Sequence, residues 1–201
     1  MNYLAHVFLS GPDTELMIGN FIADAVRGKQ ILQFSEGIRQ GILLHREIDA
    51  FTDVNDVVAA TKNRLRPEYG KYAPVIADMF YDHFLAANFE AFSPQPLSTF
   101  TAEKYSVLQQ HWHILPERVK QFLPHMMQHN WLLSYAELKG INQALTGLSR
   151  RTTFHSGMET AALELEKNYE LYAQEFRLFF PELIAFSQNR IAMIGNPKPL
   201  P

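Results

Sequence analysis

Apolar residues recur at helical spacing in one segment after another, and this constrains the fold more than any other feature of the chain. Between residues 36 and 53 the apolar positions Ile38, Ile42, Leu43, Ile48 and Phe51 follow the helical repeat. Between 71 and 88, Val75, Ile76, Met79, Phe80, Phe84 and Leu85 do the same. Residues 156–179 and 181–194 are rich in Ala, Leu, Glu and aromatic side chains at the same spacing. No segment shows sustained period-two alternation with hairpin turns. The spacing therefore predicts an all-α fold, a helical bundle of roughly eight to ten helices.

The boundaries follow from caps and breakers. Residues 3–9 predict a short helix, and Asp13 or Thr14 can cap a second that runs to about Val26, with Gly28 as its stop. Ser35 can cap the helix through 41–53. Asp53, Asn55 and Asp56 form a turn into a more polar helix that ends near Arg66 and Pro67. Helices are expected at about 101–113, 116–127 and 131–147, the last with a break near Gly140. The 201 residues fit one domain over 1–194, followed by a proline-rich tail over 195–201.

Composition narrows the functional classes. A net charge of -3 argues against general nucleic-acid affinity. No stretch approaches the roughly 18 apolar residues needed to cross a membrane, and the apolar N-terminus lacks the basic leader of a signal peptide. These features fit a soluble, cytoplasmic protein. The chain has no cysteine, so any transition metal must be held by His, Asp and Glu.

The stretch GILLHREIDAFTD, residues 41–53, places His45, Asp49 and Asp53 four residues apart on one helical face. That face can offer an imidazole nitrogen and carboxylate oxygens to a metal, while Arg46 points about 100° away toward whatever the metal holds. His6, Asp24, Asp78, Asp82 and His83 also interrupt apolar patterns. A lone histidine of this kind is usually a hydrogen-bonded core residue, and a lone aspartate a cap. Recurrence in four helical segments makes the difference, because buried carboxylates without cations cost several kcal/mol each. Mixed imidazole and carboxylate donors suit manganese (Mn2+), with magnesium or iron(II) as alternatives. Arg46, Arg27, Arg150 and Arg151 are natural phosphate clamps, although a solvated surface explains an arginine equally well. His125 and His129, four residues apart, read as structural because no carboxylate lies nearby. Glycine-rich phosphate loops, G-x-S-x-G and H-E-x-x-H are absent.

The segments MNYLAH, GNFIAD followed by VRG, GILLHREIDAFTD, DMFYDHFLA and SRR at residues 149–151 together resemble the acyl carrier protein phosphodiesterase family, in order and spacing from residue 1 to about 180. Tyr3 and Tyr81 depart mildly from the family pattern, and residues 93–131 match it weakly. The resemblance implies an α-helical fold related to the HD-type metal phosphohydrolases, manganese dependence, and hydrolysis of the phosphodiester that joins 4'-phosphopantetheine to a serine of holo acyl carrier protein. It also implies Asp24, His45 and Asp49 as the metal or catalytic centre, with His6, Asp78 and Asp82 as further ligands and Arg46 on the phosphate. An acidic carrier asks for a basic surface, which Lys62, Arg64, Arg66 and Lys71 around one turn can supply, as can a plain solvated turn. Two alternatives stay open: a metal-dependent phosphohydrolase acting on a nucleotide or other small phosphodiester, and a non-catalytic module that binds the carrier protein.

Overall fold

A computed structural model describes residues 1–195. It contains eleven α-helices and no strand among those residues: α1 Tyr3–Leu9, α2 Thr14–Ile22, α3 Glu36–Val54, α4 Asp56–Tyr69, α5 Ala73–Ala87, α6 Leu97–Gln110, α7 Glu117–Gln128, α8 Trp131–Ser134, α9 Leu138–Ser149, α10 Ala161–Lys167 and α11 Tyr169–Gly195. The all-α expectation holds. Apart from Gly195, the expected proline-rich tail lies outside the described residues. No helix among them is long and apolar enough to cross a membrane.

α5 is the centre of the packing. From Met79 to Ala86 every side chain is buried, which is the pattern of a helix surrounded by others rather than lying on a surface. Phe80, Tyr81 and Phe84 meet Tyr172, Phe176 and Phe179 of α11 at ring-centroid distances of 5.0–6.0 Å, mostly edge-on or tilted, as aromatic quadrupoles prefer. Val75, at the solvent edge of α5, is exposed.

α2 and α3 pack backbone against backbone, and two glycines permit it. A Cβ on Gly19 would lie 2.1 Å from the Ile38 carbonyl oxygen, and one on Gly41 would lie 2.3 Å from that of Leu16. The backbones therefore touch where no side chain can intervene. Ile38, Ile42, Leu44, His45 and Ile48 form the buried stripe of α3, and Leu43 turns out to solvent.

Several boundaries differ from expectation for local reasons. The second helix tightens into a 3-10 turn at Ala23–Ala25 before Gly28, whose positive φ of 51° opens another at Gly28–Gln33. α4 runs through Pro67 to Tyr69, where the Gly70 N–H donates back to Arg66. The expected helix over 156–179 breaks at Asn168, and α11 then continues through Pro181, which costs one backbone hydrogen bond that packing on both sides outweighs. The break in the 131–147 segment falls at 135–137, ahead of Gly140. Asp13 caps α2 by accepting from the Leu16 N–H at 2.9 Å. Ser35 makes no such bond to α3 and donates instead to Glu15. Asn55, not Asp53, caps α4.

Candidate active site

The contact between α2 and α3 sets His45 against Asn20. The His45 Nδ1–H donates to the Asn20 carbonyl oxygen at 2.9 Å, with Asn20 Oδ1 at 3.2 Å. The Asn20 side-chain amide is held in turn by donating to the His6 carbonyl oxygen and to Ser10 Oγ, both at 2.9 Å. With Nδ1–H committed, Nε2 is the free lone pair of His45. It faces Asp24 Oδ1 at 3.3 Å and Asp49 Oδ2 at 3.2 Å but makes no well-directed hydrogen bond to either. Only acceptors surround this lone pair. The arrangement is repulsive unless a proton or a metal cation sits between them.

α1 supplies the second histidine. The His6 ring stacks on that of His45 with centroids 3.9 Å apart, and its Nε2 lies 3.2 Å from Asp49 Oδ1 and 3.2 Å from the Met1 carbonyl oxygen. His6 Nδ1 is buried without a partner. Asp49 thus offers one oxygen to each histidine, and His6, His45 and Asp49 present ligand atoms that all lie within 4.8 Å of one another. Two buried imidazoles, one of them with an unpartnered Nε2, and a carboxylate fit a borderline divalent cation. The Met1 ammonium stands on the other side of the cluster, 3.3 Å from Asp49 Oδ1 and 3.3 Å from Asp78 Oδ1.

Electrostatics separate the two histidines. Burial, with the neighbouring His45, drives the His6 pKa down to about 4. Burial also pushes His45 down, but the Asp24 and Asp49 carboxylates facing its Nε2 outweigh this and raise it to about 9. Burial raises Asp49, yet the two histidines and the Met1 ammonium overcome it and hold the carboxyl far below the usual range. The neighbouring His45 lowers Asp24.

The remaining acids of the expected ligand set stand apart. Asp82 is fully buried and accepts from the Leu4 and Ala5 N–H groups at 2.8 and 3.1 Å, so both its oxygens bind the first turn of α1. Burial raises its pKa to about 7 against those two amides. Asp78 pairs with the Met1 ammonium rather than with a histidine. His83 lies between the Tyr135 carbonyl oxygen at 2.8 Å and the Tyr169 hydroxyl at 3.0 Å, away from the cluster. Asp53 pairs with Lys62 at 2.6 Å.

A cleft of about 890 Å³ adjoins this centre through Met1, Asp24 and Asp78, while His6, His45 and Asp49 lie behind its wall. Met1, Tyr3, Asp24 and Asp78 line its inner end, and Trp131, Arg150 and Arg151 line it further along α8, α9 and the turn that follows. Arg27 and Arg46 are exposed and neither belongs to the cleft wall, because Arg46 turns off the buried stripe of α3 and Arg27 lies beyond the 3-10 turn that carries Asp24. His125 and His129 are exposed on the cleft wall with rings 4.3 Å apart, not in the core. Sequence reasoning missed Asn20 and Arg118. A polar residue inside the apolar run IGNFIA was the available signal for Asn20. Nothing in the sequence near Arg118 marks it.

The expected docking patch around 62–71 is largely spoken for. Lys62 is 7% exposed and bound to Asp53. Arg64 makes two 2.8 Å bonds to Glu175, which also accepts from Thr61 at 2.7 Å.

With the geometry established, comparison with known proteins is direct. The family model described as acyl carrier protein phosphodiesterase matches residues 1–183. The chain belongs to the acyl carrier protein phosphodiesterase family. A relative of that name from Photorhabdus laumondii is 30% identical over 191 residues, covering 94% of this chain and 96% of its own length. Relatives of the same name from Serratia proteamaculans and Klebsiella pneumoniae are 29% and 30% identical, each over 94% of this chain and 99% of their own. No solved structure is a significant match. The family match covers α1 through most of α11, and therefore every element that contributes to the centre and the cleft.

Proposed function

We propose that this chain hydrolyses the phosphodiester between 4'-phosphopantetheine and a serine of holo acyl carrier protein, releasing the apo carrier and phosphopantetheine. Family membership supports the substrate. The observation that carries the chemistry is the His6, His45 and Asp49 cluster, with its unpartnered His45 Nε2, which Asp24 and Met1 join to an arginine-lined cleft. In this reading the cluster holds manganese, with magnesium or iron(II) as alternatives, and Asp24 completes it from the cleft side. When bound, such an ion lowers the pKa of water and polarises a phosphoryl oxygen. The relation to HD-type metal phosphohydrolases belongs to the same proposal.

The protein's own groups divide the remaining work. Asn20 keeps the proton on His45 Nδ1, so that Nε2 presents its lone pair between Asp24 and Asp49. Arg150 and Arg151 pair with the phosphate oxygens, since a guanidinium meets phosphate through two parallel hydrogen bonds. Asp24, with 73% of its side chain exposed, is the carboxylate nearest an incoming diester. Incubating the purified protein with manganese and holo carrier protein, then weighing the carrier by mass spectrometry, tests the reading. The expected result is loss of the phosphopantetheine mass; an unchanged carrier with each of the three metals refutes the substrate.

A further inference from the structure

Tyr3 is a polar group of the cleft that the His6, His45 and Asp49 cluster leaves unused. Its ring is wedged between Phe21 and Phe122, with centroids 5.1 and 5.5 Å away, and this fixes the direction of the phenol. It lines the cleft together with Asp24, Arg118 and Arg151. Burial, and after it the Asp24 carboxylate, push the phenol up to about 12, while Arg118 and Arg151 pull the other way. The group is therefore an O–H donor at any physiological pH.

The two guanidiniums are also uncommitted. Arg39, Arg64, Arg177 and Arg190 each have a carboxylate partner, and among the described residues Arg118 and Arg151 have none. Arg151 sits over the Trp131 ring, 5.9 Å from its centroid, a cation-π contact that keeps its charge against the cleft wall. Arg118 lies at the start of α7 and lines both this cleft and a neighbouring cavity of about 770 Å³. Asp24 brings an opposing charge, but it faces His45 Nε2 and is directed at the centre.

We infer that Tyr3, Arg118 and Arg151 form an anion subsite beside the centre, which takes a phosphoryl group, with the Tyr3 hydroxyl and the two guanidiniums donating to its non-bridging oxygens. The inference rests on the function proposed above and deepens it by naming the residues that select a phosphoryl substrate. Two cations and a neutral donor match an oxyanion that has several acceptors, whereas a neutral ligand would leave both guanidinium charges unanswered.

Tyr3→Phe removes the hydroxyl and keeps the ring between Phe21 and Phe122; Arg118→Ala removes one cation from the start of a helix. Binding of inorganic phosphate is measured by calorimetry in the presence of a chelator, so that no metal contributes, and manganese binding is measured separately. Phosphate affinity is expected to fall about tenfold or more in each variant, as for a hydrogen bond to a charged group, with manganese affinity unchanged. No phosphate binding by the wild type, or an affinity unmoved in either variant, overturns the subsite. If the wild type leaves holo carrier intact while both variants lose phosphate, the subsite stands and the proposed reaction falls. If the wild type releases phosphopantetheine but phosphate binding is unmoved, the subsite alone falls.

Discussion

His45 shows how one side chain can be tuned by what surrounds each nitrogen. Its Nδ1 proton goes to the Asn20 carbonyl oxygen, and its Nε2 faces two carboxylates. Without a metal a proton must occupy that second position, and the raised pKa of about 9 follows. The folded value lies above the unfolded 6.5, so the charged pair contributes stability that is complete below about pH 6.5 and is lost as pH rises through about 9. Urea denaturation of the metal-free protein should therefore show the stability difference between wild type and His45→Gln shrinking from about pH 6 to about pH 10. Parallel profiles would mean that His45 is not held as an imidazolium. A ligand-like face on α3 was legible from the spacing of His45 and Asp49 alone. What spacing could not reveal was that Asp53 belongs to Lys62, since that depends on where α4 returns across the end of α3.

At the scale of elements, the centre depends on helices that approach without side chains between them. Gly41 on α3 lies against the Leu16 carbonyl oxygen of α2, and one turn further on the same crossing brings Asn20 to His45. Gly41→Ala should destabilise the fold by about 1–3 kcal/mol, the usual cost of overpacking a tight contact, and should weaken manganese binding because α2 must move away with Asn20. Urea titration and calorimetry read these two effects. A variant with wild-type stability would show that the helices separate without cost. The helices themselves were legible because α3, α5 and α11 each carry a long apolar repeat. Their ends were less so. Pro67 and Pro181 each look like a stop in isolation, yet both sit inside helices whose other hydrogen bonds and packing outweigh one missing N–H. Asp82 shows the same limit within the site, because a buried acid on an apolar helix reads as a ligand until α1 is seen to place two N–H groups on it.

For the whole molecule, the chain is net acidic, yet among the described residues it keeps arginines without carboxylate partners along one cleft, while Lys62 and Arg64 of the expected docking patch are bound to Asp53 and Glu175. That distribution could not be seen in the sequence, where Lys62, Arg64, Arg66 and Lys71 form the densest run of cations and Arg118 has only Lys120 near it. It depends on which carboxylates the fold brings near, and Glu175 reaches Arg64 from more than a hundred residues away. The cleft also runs between the beginning of the chain and α7 to α9, so its two walls meet only in the folded protein. The central claim is that a divalent metal at the inner end of this cleft is held by His6, His45 and Asp49. Anomalous X-ray scattering from crystals soaked in manganese tests it most directly. The account predicts a peak among the ligand atoms of those three residues, with Asp24 on its open side, that disappears in Asp49→Asn. A peak elsewhere in the molecule, or one that survives unchanged in Asp49→Asn, would contradict it.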